Sequence, residues 1–464
     1  MGSTFYGLPC DKGGESFLLR TVDQNGQERA ILVDAAYSTY DNGSTTFKAL
    51  RAEAPDLRRI DVAICTHEDA DHCDGFPNLL KAWTDEKKSV GELWLPGRWA
   101  LAFPAAAVRP NWSEHQIIQG AFAAASRLEG AIASIIGEDV WEVSDEMLWM
   151  FDGIVSPSWN MIHYGLRRAT AEADVGPMLH PVSDDRVQAS HWAGLDQEHD
   201  EGTLARRIRS ALAKSQYRSI ENRIELALEE VDDSANLPQS EAGHGLAMML
   251  ASSVLRTHDL ILDIAATALD NGISVRWFDY DEFVRSGTPA GGDAGFLEPV
   301  NSVEVLRTSA QPSAEMLAYA LKLSQANVES LVFLRNGGHG EPPVLFSADS
   351  RLAQGMYSPR PDFPPPNSIA SNWEAPIVTA PHHGSKSNQH AYGIIAGWFS
   401  PHDPIYVRNG GKHVRHGYAA SFLSANRRTC VRCNGMKNPH RLIRIEAPSG
   451  SWQMPVHPVP CSCK

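Results

Sequence analysis

Short apolar segments bounded by polar turns recur before residue 100 and again from residue 273 onward. Such segments are typical of buried β-strands. A turn containing Asn25 and Gly26 joins the first two, which predicts a hairpin. Strands are predicted at Ser16–Thr21, Ala30–Asp34, Asp61–Cys65 and Glu92–Leu95, and later within ISVRWF, VEVLRT, SLVFLRN, PVLFSAD, IVTAPHH and PIYVRN.

The middle of the chain has a different pattern, because Ala, Leu, Glu and Arg recur at helical spacing, as in AFAAASRLEGAIASII. We therefore predict an α/β fold in four parts. The first half covers 1–103, a helical insertion the size of a domain covers 104–257, the second half covers 258–427, and a cysteine-rich tail covers 428–464. Strands that alternate with helices in the two halves imply two sheets with helices outside.

Composition narrows the functional class only slightly. Of the 464 residues, 43% are hydrophobic and 21% are charged, as in ordinary globular domains. The net charge of −15 argues against a surface coated for nucleic acid, although it allows a local basic groove. We expect no leader and no membrane segment, and therefore a cytoplasmic protein. The most apolar stretch, Gly245–Leu269, carries charges and is expected to be a buried or amphipathic helix.

The strongest chemical signal follows the third predicted strand. His67, Asp69, Asp71 and His72 come directly after the apolar segment Asp61–Cys65. A strand end followed by a turn lets these side chains converge. Imidazole suits zinc, and carboxylates suit manganese as well. The pattern predicts a metal centre, and the alternative is an acidic surface loop that contains two histidines.

Two later strands bring further candidate ligands. One ends in Asp349, whose two carboxylate oxygens can bind two cations. Another ends in His382 and His383, which are candidates for metal binding and for protonating a leaving group. The residues alone do not divide these two roles between the histidines. Ser385 and Lys386 follow and offer donors for an anionic oxygen.

The motif H-x-D-x-D-H after an apolar strand resembles the signature of the metallo-β-lactamase superfamily, whose αββα sandwich holds two metal ions. The resemblance implies that His67 and Asp69 face one ion, that Asp71 and His72 face the other, and that Asp349 bridges them. Asp69 stands where many members have a second histidine, and the added carboxylate moves the expected preference from zinc towards manganese.

A closer resemblance is to the C-terminal nuclease domain of ComEC-type DNA-uptake competence proteins. It rests on the strand followed by HHGS at 382–385, on the opening hairpin, on NVESLV at 327–332, and on the late turn from Asn409 to Gly417. It does not extend to the helical insertion or to the cysteine-rich tail.

This closer resemblance implies a DNA nuclease with two divalent ions, zinc or manganese, and with Asp71, His382 and His383 in its chemistry. His416 is the best late metal ligand of this turn, and His413 is a weaker candidate. The residues expected to contact DNA are Ser385, Lys386, Arg408, Lys412 and Arg415.

Four cysteines near the C-terminus form a C-x-x-C pair and a C-x-C pair, Cys430 with Cys433 and Cys461 with Cys463. Four thiolates in two close pairs predict a structural zinc site. The alternative is a set of reduced thiols that hold no metal.

Two other functions stay open from the sequence. The chain could hydrolyse a small anionic phospho-compound or nucleotide, with the helical insertion closing over the site. It could instead serve in a multiprotein assembly, with a protein partner bound by the insertion. An open basic groove would favour the nuclease, and a closed pocket would favour the small substrate.

Overall fold

The computed structural model of the protein describes most of the chain outside the predicted insertion. The described residues are 2–10, 14–23, 25–38, 43–100, 117–123, 125–126, 179–181, 219–229, 238, 241–307, 329–337, 342–353, 362–366, 375–410, 417–431, 442–448, 450–454, 461 and 463.

Strands and helices alternate through both halves of the chain, as the apolar pattern predicts. The strands are β1 Ser3–Gly7, β2 Phe17–Val22, β3 Glu28–Val33, β4 Arg59–Ile64, β5 Ser89–Pro96, β6 Leu179–Pro181, β7 Ser274–Asp279, β8 Leu297–Pro299, β9 Val303–Arg307, β10 Phe333–Arg335, β11 Val344–Phe346, β12 Ile377–Thr379, β13 Ile405–Arg408, β14 Arg428–Cys430 and β15 Ile443–Ala447. The helices are α1 Thr45–Glu53, α2 Ala70–Cys73, α3 Phe76–Asp85, α4 Ile220–Glu229, α5 Glu241–Asp270, α6 Tyr280–Ser286, α7 Pro381–Gly384, α8 Gln389–Phe399 and α9 Ala420–Ser424, with a 3-10 turn at Lys386–Asn388.

The described strands form two sheets. The larger has the order β15-β1-β2-β3-β4-β5-β7-β9-β6, and the smaller has the order β14-β13-β12-β11-β10-β8. The predicted hairpin is confirmed, since β2 and β3 pair antiparallel and Gly26 in their turn has a φ of 77°. β3, β4 and β5 run parallel in one sheet, and β11, β12 and β13 run parallel in the other. Parallel strands deliver the residues that follow them to one edge of their sheet.

Alternation along the strands divides the core into layers. Ile31 and Val33 of β3 share a buried cluster with Ile405 and Val407 of β13, so the two sheets pack face to face. Leu32, which points the other way, belongs to a second cluster that includes the buried side of helix α3. Helices therefore cover the outer faces, and the predicted αββα sandwich is confirmed.

The described part of the predicted insertion contains α4 and the first turns of α5. An ion pair of 2.7 Å between Arg223 and Asp259 joins these helices. Helix α5 spans Glu241–Asp270, so the apolar stretch Gly245–Leu269 is helical as expected. Strand β6, which the sequence did not predict, pairs with β9 in the same region. Among the described helices, none is long and apolar enough to cross a membrane.

The region predicted as a cysteine-rich tail contributes a strand to each sheet. Its strand β14 pairs with β13, and its strand β15 pairs antiparallel with β1 at the edge of the larger sheet. Ile443 and Ile445 of β15 are buried between the sheets. The residues after 428 therefore complete both sheets, and the four-part division of the chain stays a prediction.

Candidate metal centre

The candidate ligands lie where strands of the two sheets end. His67 follows β4, and the loop after it turns at once into the short helix α2. Asp69 has the extended backbone of a helix N-cap, and Asp71 and His72 belong to the first turn that it begins. This tight reversal brings the buried rings of His67 and His72 to a centroid separation of 4.1 Å.

Asp349, which follows β11 of the other sheet, lies between four histidines. Its Oδ2 atom is 3.8 Å from Nε2 of His67 and 3.5 Å from Nε2 of His382. Its Oδ1 atom is 3.5 Å from Nε2 of His72 and 3.8 Å from Nε2 of His383. The two oxygens of one carboxylate thus face two separate groups of nitrogen atoms.

Two more carboxylates complete these groups. Oδ2 of Asp69 is 3.7 Å from Nε2 of His67, and Oδ2 of Asp71 is 3.1 Å from Nε2 of His383. These distances group Asp69 with His67 and Asp71 with His383. Around Asp349, the Oδ2 side therefore has His67, Asp69 and His382, and the Oδ1 side has Asp71, His72 and His383.

Several inward-facing atoms of this cluster have no hydrogen-bond partner among the described residues. They are Nε2 of His67, Nε2 of His72 and Oδ1 of Asp349, and all three are buried. A buried polar atom without a partner costs free energy, so such atoms are rare in folded proteins. The side chains fit the two divalent ions that the fold implies, because one ion on each side of Asp349 would together satisfy all three atoms.

A further carboxylate, that of Asp34, orients the two histidines of the His67–His72 loop. Oδ2 of Asp34 lies 2.7 Å from Nδ1 of His72. The backbone N–H and the hydroxyl of Thr66 donate to Asp34, and the same hydroxyl lies 2.9 Å from Nδ1 of His67. Such contacts turn the opposite ring nitrogen towards a metal and raise its basicity. Asp34 could have been suspected from the sequence, since it ends an apolar strand beside β4.

His383 has an orienting carboxylate of its own. Its Nδ1 atom lies 3.1 Å from Oε2 of Glu15 and 3.1 Å from the carbonyl oxygen of Asn409. Gly410 is packed directly against the ring, where a Cβ atom would meet Nδ1 at 2.1 Å. Glu15 is buried and stands before β2, where no sequence signal marks it.

The two adjacent histidines differ in their surroundings. Nδ1 of His382 lies 3.2 Å from Oδ1 of Asn388 and 3.1 Å from the hydroxyl of Ser387. The side chain of His382 is 27% exposed, whereas that of His383 is 9% exposed. Both residues have left-handed backbones, with φ of 47° and 52°. This strained conformation turns two neighbouring rings to one side, and the surrounding contacts must hold it.

Histidines and carboxylates of the cluster lie side by side and shift the pKa values of one another. Burial lowers the pKa of His383, but Asp349, Asp71 and Glu15 outweigh burial and raise it to about 10. Burial raises the pKa of Asp349, but His382, His383 and His72 hold it well below its usual value. Metal binding to these side chains must therefore displace protons.

The residues expected to contact DNA differ in their exposure to solvent. The Ser385 hydroxyl is buried in the turn and accepts from the backbone N–H of Ser387, whereas Lys386 is exposed beside the histidine pair. The expectation for Arg408 is wrong, because this residue is 1% exposed and its Nε donates to the carbonyl of His383. The other expected DNA contacts, Lys412 and Arg415, lie outside the described residues, and so do the candidate late metal ligands His413 and His416.

The C-terminal cysteines also come together. The sulfur atoms of Cys430, Cys461 and Cys463 lie within 4.8 Å of one another, and all three residues are buried. This spacing suits a single metal ion. The fourth predicted ligand, Cys433, lies outside the described residues.

Comparison with known proteins supports the fold and the metal chemistry. Residues 13–163 match the family model of the metallo-beta-lactamase superfamily. The matched range contains Glu15, Asp34 and the loop His67–His72, and Asp349 and the histidine pair lie beyond it. Superfamily members bind divalent metals and are generally metal-dependent hydrolases. No curated protein matches the chain.

Proposed function

We propose that the protein is a two-metal phosphodiester hydrolase that cleaves DNA. The observation that carries the proposal is Asp349, a buried carboxylate whose two oxygens face two groups of nitrogen and oxygen ligands. Paired ions suit phosphodiester cleavage, because the attacking and leaving oxygens both develop charge there. The choice of DNA rests on the resemblance of the HHGS segment to ComEC-type nuclease domains.

His67, Asp69 and one oxygen of Asp349 would hold the first ion. The second ion would have Asp71, His72, His383 and the other oxygen of Asp349. When bound, the two ions supply Lewis acidity and make a water molecule acidic enough to attack at neutral pH. Nitrogen and carboxylate donors together suit zinc or manganese, and the number of carboxylates favours manganese.

Side chains of the protein accept and donate the protons of the hydrolysis. The Asp71 side chain is 23% exposed, so it can accept the proton of the attacking water. His382 is the more exposed histidine of its pair, and contacts to Asn388 and Ser387 orient its ring. We assign to His382 the role of general acid, in which its Nε2 atom donates a proton to the leaving oxygen. Lys386, exposed next to the pair, attracts the phosphate backbone.

The test is incubation of the purified, manganese-loaded protein with labelled single-stranded and double-stranded DNA. We expect cleavage by the wild type and none by the double variant Asp71→Ala with His72→Ala, which loses ligands of the second ion. The matched control is His258→Ala, which removes a buried histidine of helix α5 far along the chain from these ligands. The control should cleave DNA like the wild type.

Three results would contradict the proposal. Full activity of the double variant would show that the site assignment is wrong. Hydrolysis of a mononucleotide or cyclic nucleotide without any cleavage of DNA would favour a small-molecule hydrolase. A metal-loaded protein that hydrolyses no phosphoester and binds a protein through residues 104–257 would favour a role in an assembly.

A further inference from the structure

Arg408 connects the C-terminal cysteines to the candidate metal centre. It ends β13, and its register partner on the neighbouring strand β14 is Cys430. Nη1 of Arg408 donates to the sulfur of Cys430 over 3.0 Å, and Nε donates to the carbonyl oxygen of His383 over 2.7 Å. One guanidinium group therefore contacts a candidate ligand of each cluster.

The arginine is placed where its charge needs an anionic neighbour. It is 1% exposed, and it also lies over the ring of Tyr418 at 5.0 Å. A buried cation is stable only when hydrogen bonds and opposite charge compensate for its lost hydration. Thiolates at Cys430, Cys461 and Cys463 would supply that negative charge, and a metal ion is what keeps several thiolates deprotonated side by side.

The backbone that Arg408 contacts is under strain. His383 has a φ of 52° and a ψ of 26°, a left-handed conformation that costs a non-glycine residue free energy. The residues after Arg408 contact the same histidine, because the Asn409 carbonyl faces its Nδ1 atom and Gly410 packs on its ring. The end of β13 thus forms a cradle for His383.

We propose that Cys430, Cys461 and Cys463 bind a zinc ion, and that this ion positions His383 for metal binding through Arg408. Three buried thiolates with one further ligand form a tetrahedral site of the structural zinc type. The hydrogen bond from Arg408 to the Cys430 sulfur is an outer contact of this site, and it fixes the guanidinium at the carbonyl of His383. Arg408 is a positioning residue, and the coupling rests on the proposed metal centre.

The first measurement uses the wild-type full chain and needs no variant. Zinc should remain after a chelator has removed manganese, and cobalt that replaces this zinc should show a cobalt–thiolate charge-transfer band. Cys461→Ser should abolish the band and lower the zinc content. A wild type that binds no thiolate-held metal would overturn the zinc site.

The second measurement tests the coupling. Arg408→Lys keeps the charge but cannot contact both partners, so it should retain the cobalt–thiolate band and bind manganese at the His/Asp centre about 10–100-fold more weakly. Cys461→Ser should weaken manganese binding by a similar factor, which keeps the test available if Arg408→Lys fails to fold. The matched control is Arg335→Lys, also 1% exposed and in the same sheet, which contacts Thr21 instead.

Manganese affinities are measured by chelator competition, which does not depend on nuclease activity. If Arg408→Lys and Cys461→Ser both bind manganese like the Arg335→Lys control, the coupling is wrong. If the wild type binds no manganese at all, the proposed function fails and the coupling fails with it, whereas the thiolate zinc stands on the cobalt spectrum. Absence of DNA cleavage with normal manganese binding would overturn only the proposed substrate.

Discussion

The buried Arg408 contacts both the candidate metal centre and the cysteine cluster. The two clusters differ in the chemistry of their side chains and in the elements that supply them. The centre combines imidazole and carboxylate groups that follow strands of both sheets. The cysteine cluster has sulfur ligands, one from the end of β14 and two from residues 461 and 463. Nitrogen and oxygen ligands accept manganese, whereas clustered thiolates select zinc. The two clusters are therefore candidates for two kinds of metal, and removal of manganese from the His/Asp centre should leave the thiolate-held zinc in place.

The sharpest way to separate the two clusters is Asp349→Asn. This change keeps the size of the side chain and removes the charge that both groups of ligands share, so we expect loss of both ions of the centre and of all hydrolysis. Elemental analysis should show that about one zinc per chain remains, held by the thiolates. Retention of manganese by this variant would contradict the bridging role of Asp349.

A smaller effect is expected from Asp34→Asn, which alters only the orientation of His72 and the contact to Thr66. Loss of such an outer carboxylate should weaken metal binding about 10–100-fold. Chelator competition measures the change, and the thiolate zinc should be unaffected. The matched control is Asp61→Asn on the neighbouring strand, whose carboxylate accepts from the backbone N–H of Ala30. Equal affinities in the two variants would disprove an orienting role for Asp34.

The pH dependence of the metal-free protein should also distinguish the clusters. The pKa of His383 is about 10, because Asp349, Asp71 and Glu15 overcome the effect of burial. An unfolded histidine has a pKa of about 6.5, so protonation contributes stability that is fully present below that pH. This contribution is lost as the pH rises through 10. Thermal unfolding should show the loss without manganese and not with it, since the bound ion replaces the proton.

The smallest effect concerns the surface beside the centre. Lys386→Ala removes one exposed charge, so DNA binding should weaken only slightly and the slope of log affinity against log salt should fall by about 1. Metal content of both clusters should stay the same. Lys48→Ala, an exposed lysine of helix α1, is the control and should leave the slope unchanged. An unchanged slope for Lys386→Ala would place the DNA path elsewhere.

Local sequence patterns were sufficient to predict most of the strands. Short apolar segments predicted β2 to β5, β7 and β9 to β13, because a buried strand needs apolar side chains whatever it packs against. Strands β1, β6, β8, β14 and β15 were not predicted. β15 depends on a partner more than four hundred residues away in the chain, and nothing local to Ile443–Ala447 indicates that pairing.

The candidate site residues also divide into those that a local pattern predicts and those that only the fold reveals. The loop His67–His72, Asp349 and the histidine pair were predicted because each stands at the end of an apolar strand. Glu15 was missed, because a single glutamate before a strand resembles any surface acid until the fold buries it against His383. Arg408 was misassigned to the DNA surface for the related reason that a charged residue after a strand is exposed in most proteins.

The sequence by itself determined the types of the candidate ligands and the strand ends at which they stand, because spacing and residue chemistry are local properties. Only the tertiary structure decided which oxygen of Asp349 faces which histidines, since that depends on how two sheets meet. It also decided that Arg408 lies between sulfur and imidazole. The direction of a buried guanidinium depends on the parallel pairing of β12, β13 and β14, which the sequence of each strand does not specify by itself.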